Sequence, residues 1–299
     1  MITIIPYSKE DQEESLSFLA ETFRDDVQSQ QYFVLTKAQM SYVARTTEGI
    51  VGLAALWDNP VHPDASRCAV AVHPNYRKMG VGSRLFGAIT DGYKGRPLVT
   101  SLWDTQIVGK KFATSHGFCE FRRTYTVSLR LPDWDRSGIR CQPIPPDTDY
   151  KICALSDVMT RREKEAVAVL CKEIYTYTHR DNPPADESVG RWMGRVFTDD
   201  LIEEASFVVS HKGRPIAMAL LYQGQDPHML EMGWRGTSGD RNIGKAYVEA
   251  LSTMQVEYAV AMGAESLILE SDSTDPWSER IRQWFPFAPA TAWITMKRG

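Results

Sequence analysis

Eleven residues, Val72 to Gly82, carry the strongest chemical signal in the chain: Val-His-Pro-Asn-Tyr-Arg-Lys-Met-Gly-Val-Gly. An apolar run, Cys68-Ala69-Val70-Ala71-Val72, leads into them, and an amphipathic stretch, Ser83-Arg84-Leu85-Phe86-Gly87-Ala88-Ile89, follows. That order predicts a strand, a glycine-bearing loop and a helix N-terminus. Such an arrangement turns several backbone N–H groups and a positive helix end toward one anion. Arg77, Lys78 and Arg84 add positive charge, so the expected guest is a phosphate or pyrophosphate. The spacing is not Gly-x-x-x-x-Gly-Lys-Ser/Thr, nor Gly-x-Gly-x-x-Gly after a first strand. This argues against a P-loop nucleotidase and against a dinucleotide fold.

The composition narrows the setting of this loop. At 299 residues the chain suits about two domains. It is 43% hydrophobic and 24% charged, as a soluble globular protein is. No apolar run reaches the ~18 residues that span a bilayer, and the N-terminus, Met1-Ile2-Thr3-Ile4-Ile5-Pro6, does not read as a signal peptide. The five cysteines form no Cys-x-x-Cys and are odd in number, which predicts reduced thiols in a cytoplasmic protein. The six histidines show no ligand spacing, so no metal site is expected. A net charge of −4 disfavours nucleic acid as a partner and suits a cationic substrate.

The elements that position the loop come twice. A polar stretch with Pro132, Pro143, Pro145 and Pro146 reads as a linker over 132–149. It separates a domain at 1–131 from one at 150–299. Each half reads as strand, helix, hairpin, buried strand, loop, helix, strand, helix and closing strand, an α/β class with a mixed central sheet flanked by helices. In the first half these are 2–7, 12–23, the hairpin 42–46 and 50–57, the strand 67–72, the helix after the loop, 98–103, 105–116 and 121–131. In the second they are 151–155, 161–175, the hairpin 206–211 and 215–222, then 229–234, the helix after the second loop, 266–270, 277–284 and 288–296. Arg-x-x-Gly-x-Gly at Arg77, Gly80 and Gly82 is matched by Arg-x-x-Gly-x-Ala at Arg241, Gly244 and Ala246, an offset of 164 (241 − 77 and 244 − 80). A long-period duplication accounts for it.

Arg-x-x-Gly-x-Gly, after a strand ending Val-x-Val-His-Pro, resembles the coenzyme A pyrophosphate loop of GNAT N-acetyltransferases. The two halves together resemble tandem GNAT proteins. The resemblance implies acetyl-CoA as cofactor, with Val70 and Val72 facing the pantetheine arm and thioester. Backbone N–H groups there, Val72 foremost, would serve the chemistry. Arg77, Lys78, Met79, Gly80, Val81, Gly82 and Ser83 would cradle the pyrophosphate, the glycines because a side chain would push the backbone off the phosphates. The later family pattern, Asn-x-x-Ala-x-x-Leu-Tyr-x-x-x-Gly-Phe, aligns with Gln106, Gly109, Phe112, Ala113, Gly117 and Phe118. Gln106 and Phe112 are thus expected cofactor contacts. The tyrosine that often protonates the departing thiolate is Ala113 here; Ser115, His116, Tyr125 and Tyr93 are near in sequence but out of register. The second half departs further, with Lys245 for an apolar residue, Pro286-Phe287 for Gly-Phe and Arg282 near the tyrosine position. It is expected mainly to complete the substrate groove.

The reaction implied is transfer of an acetyl group to a primary amine of a small cationic molecule, by direct attack. Carboxylates to receive that amine are Asp58 and Asp64 in the first half and Asp226, Glu231 and Asp272 in the second. Glu231 lies in Met229-Leu230-Glu231-Met232, whose apolar neighbours suggest a raised carboxyl pKa and a catalytic role. Among tandem GNAT proteins the chain resembles those that acetylate a producer's own amine-rich antibiotic, of the zwittermicin or paenilamicin type. Two other readings stand beside it: a biosynthetic acyltransferase resembling mycothiol synthase, and a non-catalytic acyl-CoA-binding module. No oligomeric state follows from the residues, which are compatible with a monomer, and neither a membrane nor a nucleic acid is expected as partner.

Overall fold

The structure, a computed structural model, describes residues 1–132, 134, 149–157, 160–238 and 241–299, the last segment without the side chains of 241–243. The linker at 132–149 lies almost wholly outside the described residues. So do Gly239 and Asp240 of the second loop and the side chain of Arg241. Among the described residues no helix is long and apolar enough to cross a membrane.

The chain divides into two compact units, Met1–Phe121 with Ile294–Gly299, and Arg122–Trp293. This differs from the boundaries expected at 131 and 150. The reason is strand partnership. Strand β6 (Cys119–Arg130) is registered on β11 (Ser266–Asp272), from Arg130 opposite Ser266 to Thr124 opposite Asp272, which draws residues 122–130 into the second unit. The last strand, β12 (Ala292–Arg298), gives residues 294–298 to the first, where Thr295 meets Ser101 through their hydroxyls at 3.2 Å. A strand's hydrophobic pattern says that it pairs but not with which neighbour.

In the first unit the order in sequence is β1 (Thr3–Pro6), α1 (Gln12–Phe23), α2 (Val27–Gln31), β2 (Met40–Thr46), β3 (Gly49–Asp58), β4 (Ser66–Val72), α3 (Val81–Thr90), β5 (Leu98–Trp103) and α4 (Ile107–Ser115). Strands β1 to β4 pair antiparallel in turn, and β4 pairs parallel with β5. Strand β3 is buried without a break from Ile50 to Trp57, because both faces are covered. Phe18 and Leu19 of α1 pack on Leu53, Ala55 and Trp57. Helix α3 turns Val81, Leu85, Phe86 and Ile89 inward, the face read from its spacing. Gly52 makes that packing close: a Cβ there would stand 2.8 Å from a Leu85 methyl.

The second unit holds β7 (Tyr150–Ala154), α5 (Arg161–Thr178), α6 (Val189–Val196), β8 (Phe207–His211), β9 (Arg214–Gln223), β10 (Met229–Thr237), α7 (Arg241–Ala261), β11 and α8 (Pro276–Trp284). Strands β7 to β10 are antiparallel in turn, and β10 runs parallel to β11. The same succession therefore builds both units. Helices α2 and α6 are not in the sequence reading; at 5 and 8 residues they are too short for periodicity to show. Their signal is the N-cap, Asp26 and Ser188, each accepting a backbone N–H within its own first turn.

Asp275 caps α8 through the Trp277 N–H at 2.9 Å. Burial first, and the nearby Asp272 charge, push its carboxyl up to about 6 against the hydrogen bonds that oppose the shift. A carboxyl raised in the folded state holds its proton longer than in the unfolded chain, so stability is lost as pH rises from about 4 to about 6. Asp275→Asn keeps the cap and removes the titration. Denaturant unfolding across this range should show stability falling further in the wild type than in the variant, by on the order of 2 kcal/mol.

Candidate active site

The site begins where two strands part. Strands β4 and β5 are registered only at Ser66 opposite Leu98 and Arg67 opposite Val99, yet run on to Val72 and Trp103. Ser66 N–H donates to Pro97 C=O on the β5 side, and His73 N–H donates to Val51 C=O on the β3 side. Backbone direction alternates along a strand, so the N–H and C=O groups of Val70 and the N–H of Val72 face the β5 side, beyond the end of that ladder. Exposed strand groups of this kind are ready to bond a ligand.

A cleft of about 590 Å³ opens at this divergence. One wall is Val70, Ala71 and Val72; another is Arg77, Lys78, Gly80, Gly82 and Ser83; a third is Thr105 to Gly109 with Phe112; and Thr22, Phe23 and Asp26 close it from the end of α1. Nine expected cofactor contacts therefore lie together: Val70, Val72, Arg77, Lys78, Gly80, Gly82, Ser83, Gln106 and Phe112. Met79 and Val81 do not line it. The Met79 side chain is 60% exposed, and that of Val81 is buried in the core under α3.

The loop has the backbone of an anion cradle. Lys78 and Gly80 take positive φ, 62° and 76°, and turn the chain into α3. The Arg84 N–H donates to Gly80 C=O, so the amides of Val81, Gly82 and Ser83 precede the first helical bond. Gly82 has no room for a side chain without movement: its Cβ would stand 3.1 Å from the Phe112 ring and 3.6 Å from a Val72 methyl. Arg77 Nε donates to Val72 C=O at 3.0 Å, which ties the loop to the strand end. Arg84, expected to add charge to the cradle, instead donates both Nη groups to Ile2 C=O at 3.3 Å.

Opposite, Gln106 is the N-cap residue of α4, and its Nε2 donates to Asp26 and Ser29. Asp26 was not read as a site residue; its position before a five-residue helix left only a capping signal. Ala113 is buried, and none of the residues named as replacements for the missing tyrosine lines the cleft. His116 is packed against Phe112 and Phe86 with Nδ1 on Phe112 C=O at 2.9 Å, and Ser115 Oγ donates to the same carbonyl. The Tyr93 hydroxyl donates to Ser66 Oγ at 2.8 Å, and Tyr125 belongs to the second unit. Burial pushes the Cys68 thiol up to about 12, so no thiolate nucleophile stands on β4 at neutral pH.

The expected acceptor carboxylates are mostly committed. Asp58 accepts from Gln39 at 2.6 Å and Ser66 at 3.2 Å and pairs with Arg96. Asp226 accepts the His228 N–H at 2.8 Å in the turn before β10. Asp272 pairs with Arg122 at 3.4 Å and lies 3.7 Å from His179. Glu231 is exposed, which corrects the apolar pocket expected for it. Leu230 and Met232 are buried on the opposite face of β10, as strand alternation requires.

In the second unit the offset of 164 puts Trp234 and Gly236 at the positions of Val70 and Val72. Trp234 packs against Tyr175 and Trp192, ring centroids 5.2 and 5.9 Å away. A Cβ on Gly236 would stand 2.7 Å from Ile174 and from the Trp277 ring. Between them Arg235 is buried where the first unit has Ala71. Its Nη1 donates to Ser252 at 2.7 Å, and burial lowers the guanidinium to about 10, still charged at neutral pH. Arg282, near the tyrosine position, pairs with Glu279 and covers the Tyr125 ring.

Residues 7–118 match the acetyltransferase (GNAT) family. No curated protein matches the chain. Among solved structures, a GCN5-related N-acetyltransferase from Sphaerobacter thermophilus is similar at 13% identity and a TM-score of 0.60, over 99% of this chain and 95% of that one. A tandem GNAT protein from the clavulanic acid biosynthesis pathway is similar at 15% identity and a TM-score of 0.56, over 99% and 98%. The glucosamine N-acetyltransferase region of a fungal multi-domain beta-N-acetylglucosaminidase is similar at 12% identity and a TM-score of 0.62, over 99% of this chain and 38% of that one. At these identities the likeness is one of fold. The family match gives the first unit an acetyltransferase domain of the GNAT kind and makes the chain an acyltransferase whose cofactor is acetyl-CoA.

Proposed function

We propose that the protein is a tandem GNAT N-acetyltransferase whose first unit holds acetyl-CoA and acetylates a primary amine of a small cationic molecule directly. The observation that carries this reading is the cleft at the β4–β5 divergence. There, free-edge strand backbone, a loop of positive φ and the first amides of α3 line one cavity. Acetyl-CoA supplies an acetyl group activated as a thioester. The residues present suit it. The amides of Val81, Gly82 and Ser83, with Arg77 and Lys78, offer N–H groups and charge to a pyrophosphate. Val70 and Val72 offer backbone donors along the strand, and the Val72 N–H is the group we assign to the developing negative charge on the acyl oxygen. Gln106 and Phe112 bound the arm from α4. The buried Cys68 thiol supports direct transfer over an acyl-enzyme.

In this reading the second unit does not bind a second cofactor. Trp234 and Gly236, ringed by Tyr175, Trp192, Ile174 and Trp277, leave the equivalent strand edge packed by the unit's own side chains. For the acceptor we retain Glu231 as the carboxylate that meets the cation, since it is exposed while Asp58, Asp226 and Asp272 have protein partners. An antibiotic acceptor, and with it a role in self-resistance in the cytoplasm, is the reading we favour. The acidic balance of the chain supports it. The fold shared with the tandem GNAT protein of the clavulanic acid pathway supports the two-domain architecture.

Calorimetric titration with acetyl-CoA should return one site per chain; two sites would restore the second unit as a binder, and none would remove the whole reading. Gly82→Glu places bulk against Phe112 and a negative charge at the cradle, and should abolish that binding; unchanged affinity would sink the assignment of the loop. Glu231→Gln should lower turnover with a polyamine-like acceptor by about tenfold or more, the scale of one lost charge-assisted contact, with acetyl-CoA affinity unchanged. Equal turnover would leave Glu231 a surface residue.

A further inference from the structure

Asp26 gathers hydrogen bonds from both sides of the cleft. Its Oδ1 accepts Ser29 N–H at 3.0 Å and Trp103 Nε1 at 2.9 Å. Its Oδ2 accepts Ser29 Oγ at 2.6 Å and Gln106 Nε2 at 3.1 Å. Gln106 Nε2 also donates to Ser29 Oγ at 3.2 Å. A carboxylate only accepts, so the Gln106 atom that faces it must be the nitrogen. Asp26 Oδ2 and Ser29 Oγ lie 2.6 Å apart, too close to take one hydrogen each from a planar NH₂, so one hydrogen of that nitrogen is shared between them. The remaining polar atom of the side chain, Oε1, lies toward Gly109 on the cleft lining, 3.8 Å from where a Cβ on that glycine would stand.

We infer that Asp26 is a positioning residue that fixes the polarity of Gln106, presenting its Oε1 as an acceptor to an amide N–H of the pantetheine arm. The inference rests on the proposal that the cleft holds acetyl-CoA. A glutamine amide left to itself can turn either end outward. Here the α1–α2 turn decides the matter, with Ser29 as the second lock.

Asp26→Asn tests this with almost no change of shape. Ser29 N–H and Trp103 Nε1 are fixed donors, so the carbonyl oxygen of the new amide must stay at the Oδ1 position and its NH₂ must take the Oδ2 position. Two NH₂ groups would then face each other unless Gln106 turns over. Once turned, it keeps the strap between the two segments but points its own NH₂ at the pantetheine N–H. The expected result by calorimetry is acetyl-CoA affinity weakened by about tenfold or more, since a buried hydrogen bond is replaced by two opposed donors. Affinity for adenosine 3′,5′-bisphosphate, which lacks the arm, should not weaken, and the thermal midpoint should be unchanged. The direction is diagnostic, because removing a negative charge would by itself tighten binding of a polyanion.

Gln106→Glu alone places a second carboxylate on Asp26 and should also weaken acetyl-CoA. The double variant Asp26→Asn with Gln106→Glu restores a donor facing an acceptor, keeps the net charge and again turns an acceptor to the cleft. It should return acetyl-CoA affinity to within about threefold of the wild type, a coupling that independent sites do not show. Unchanged acetyl-CoA affinity in Asp26→Asn overturns the inference. So does equal loss of acetyl-CoA and the bisphosphate, which would make Asp26 a structural strap. Failure of the wild type itself to bind acetyl-CoA overturns the proposed function and this inference with it.

Discussion

The early parting of β4 from β5 is the constraint on which the site depends. Two registered residue pairs hold the strands together, and beyond them β4 and β5 no longer pair with each other. A strand edge inside a protein cannot be left without hydrogen-bond partners at no cost. Here the alternation set by Ser66 and His73 turns Val70 and Val72 toward the gap. The loop from Val72 to Gly82 then returns over the end of that strand, with Arg77 fastened to Val72 C=O. The N-terminal turn of α3 is thereby delivered to the same opening. Strand backbone, loop and helix end converge because one ladder stops early.

The surrounding packing keeps the opening in place. Strand β3 is buried on both faces, and Gly52 lets Leu85 approach it closely, so α3 is seated firmly with its first turn at the cleft. Gly82 lies in contact range of Phe112, so the walls meet where a larger residue would force them apart. On the remaining side, Asp26 ties the α1–α2 turn to Trp103 and Gln106. The second unit has the same order of strands, but its chemistry differs at the corresponding positions. Where the first has the small side chains Val70, Ala71 and Val72, the second has Trp234, a buried Arg235 and a Gly236 enclosed by Ile174 and Trp277. The two units thus share a succession of elements and differ in the side chains at these positions.

Much of this was legible in the residues. The loop from Arg77 to Gly82 could be read because its glycines stand between an apolar strand and an amphipathic helix, and helix α3 because Val81, Leu85, Phe86 and Ile89 repeat at helical spacing. The strands were legible because alternation and apolar runs are local properties. Helix α2, by contrast, is too short to show a period, and Asp26 before it has the appearance of any capping residue. The apolar neighbours of Glu231 were read as an environment, when in a strand they mark the opposite face. Arg84 carries the charge that a phosphate loop invites, yet its guanidinium is spent on Ile2 C=O.

The sequence by itself determined most of the element order and the glycine loop between β4 and α3, because each rests on residues close together in the chain, and the class of cofactor followed from the family that this loop resembles. Only the tertiary structure decided which strand completes which unit. It seated residues 294–298 in the first unit and 122–130 in the second, since partner choice depends on residues far apart in sequence. It also decided which charges face the cleft and which side of Gln106 is presented, for those follow from contacts such as Asp26 to Gln106 across 80 positions. Local pattern fixes what each segment can become; the long-range hydrogen bonds and packing fix what its side chains can reach.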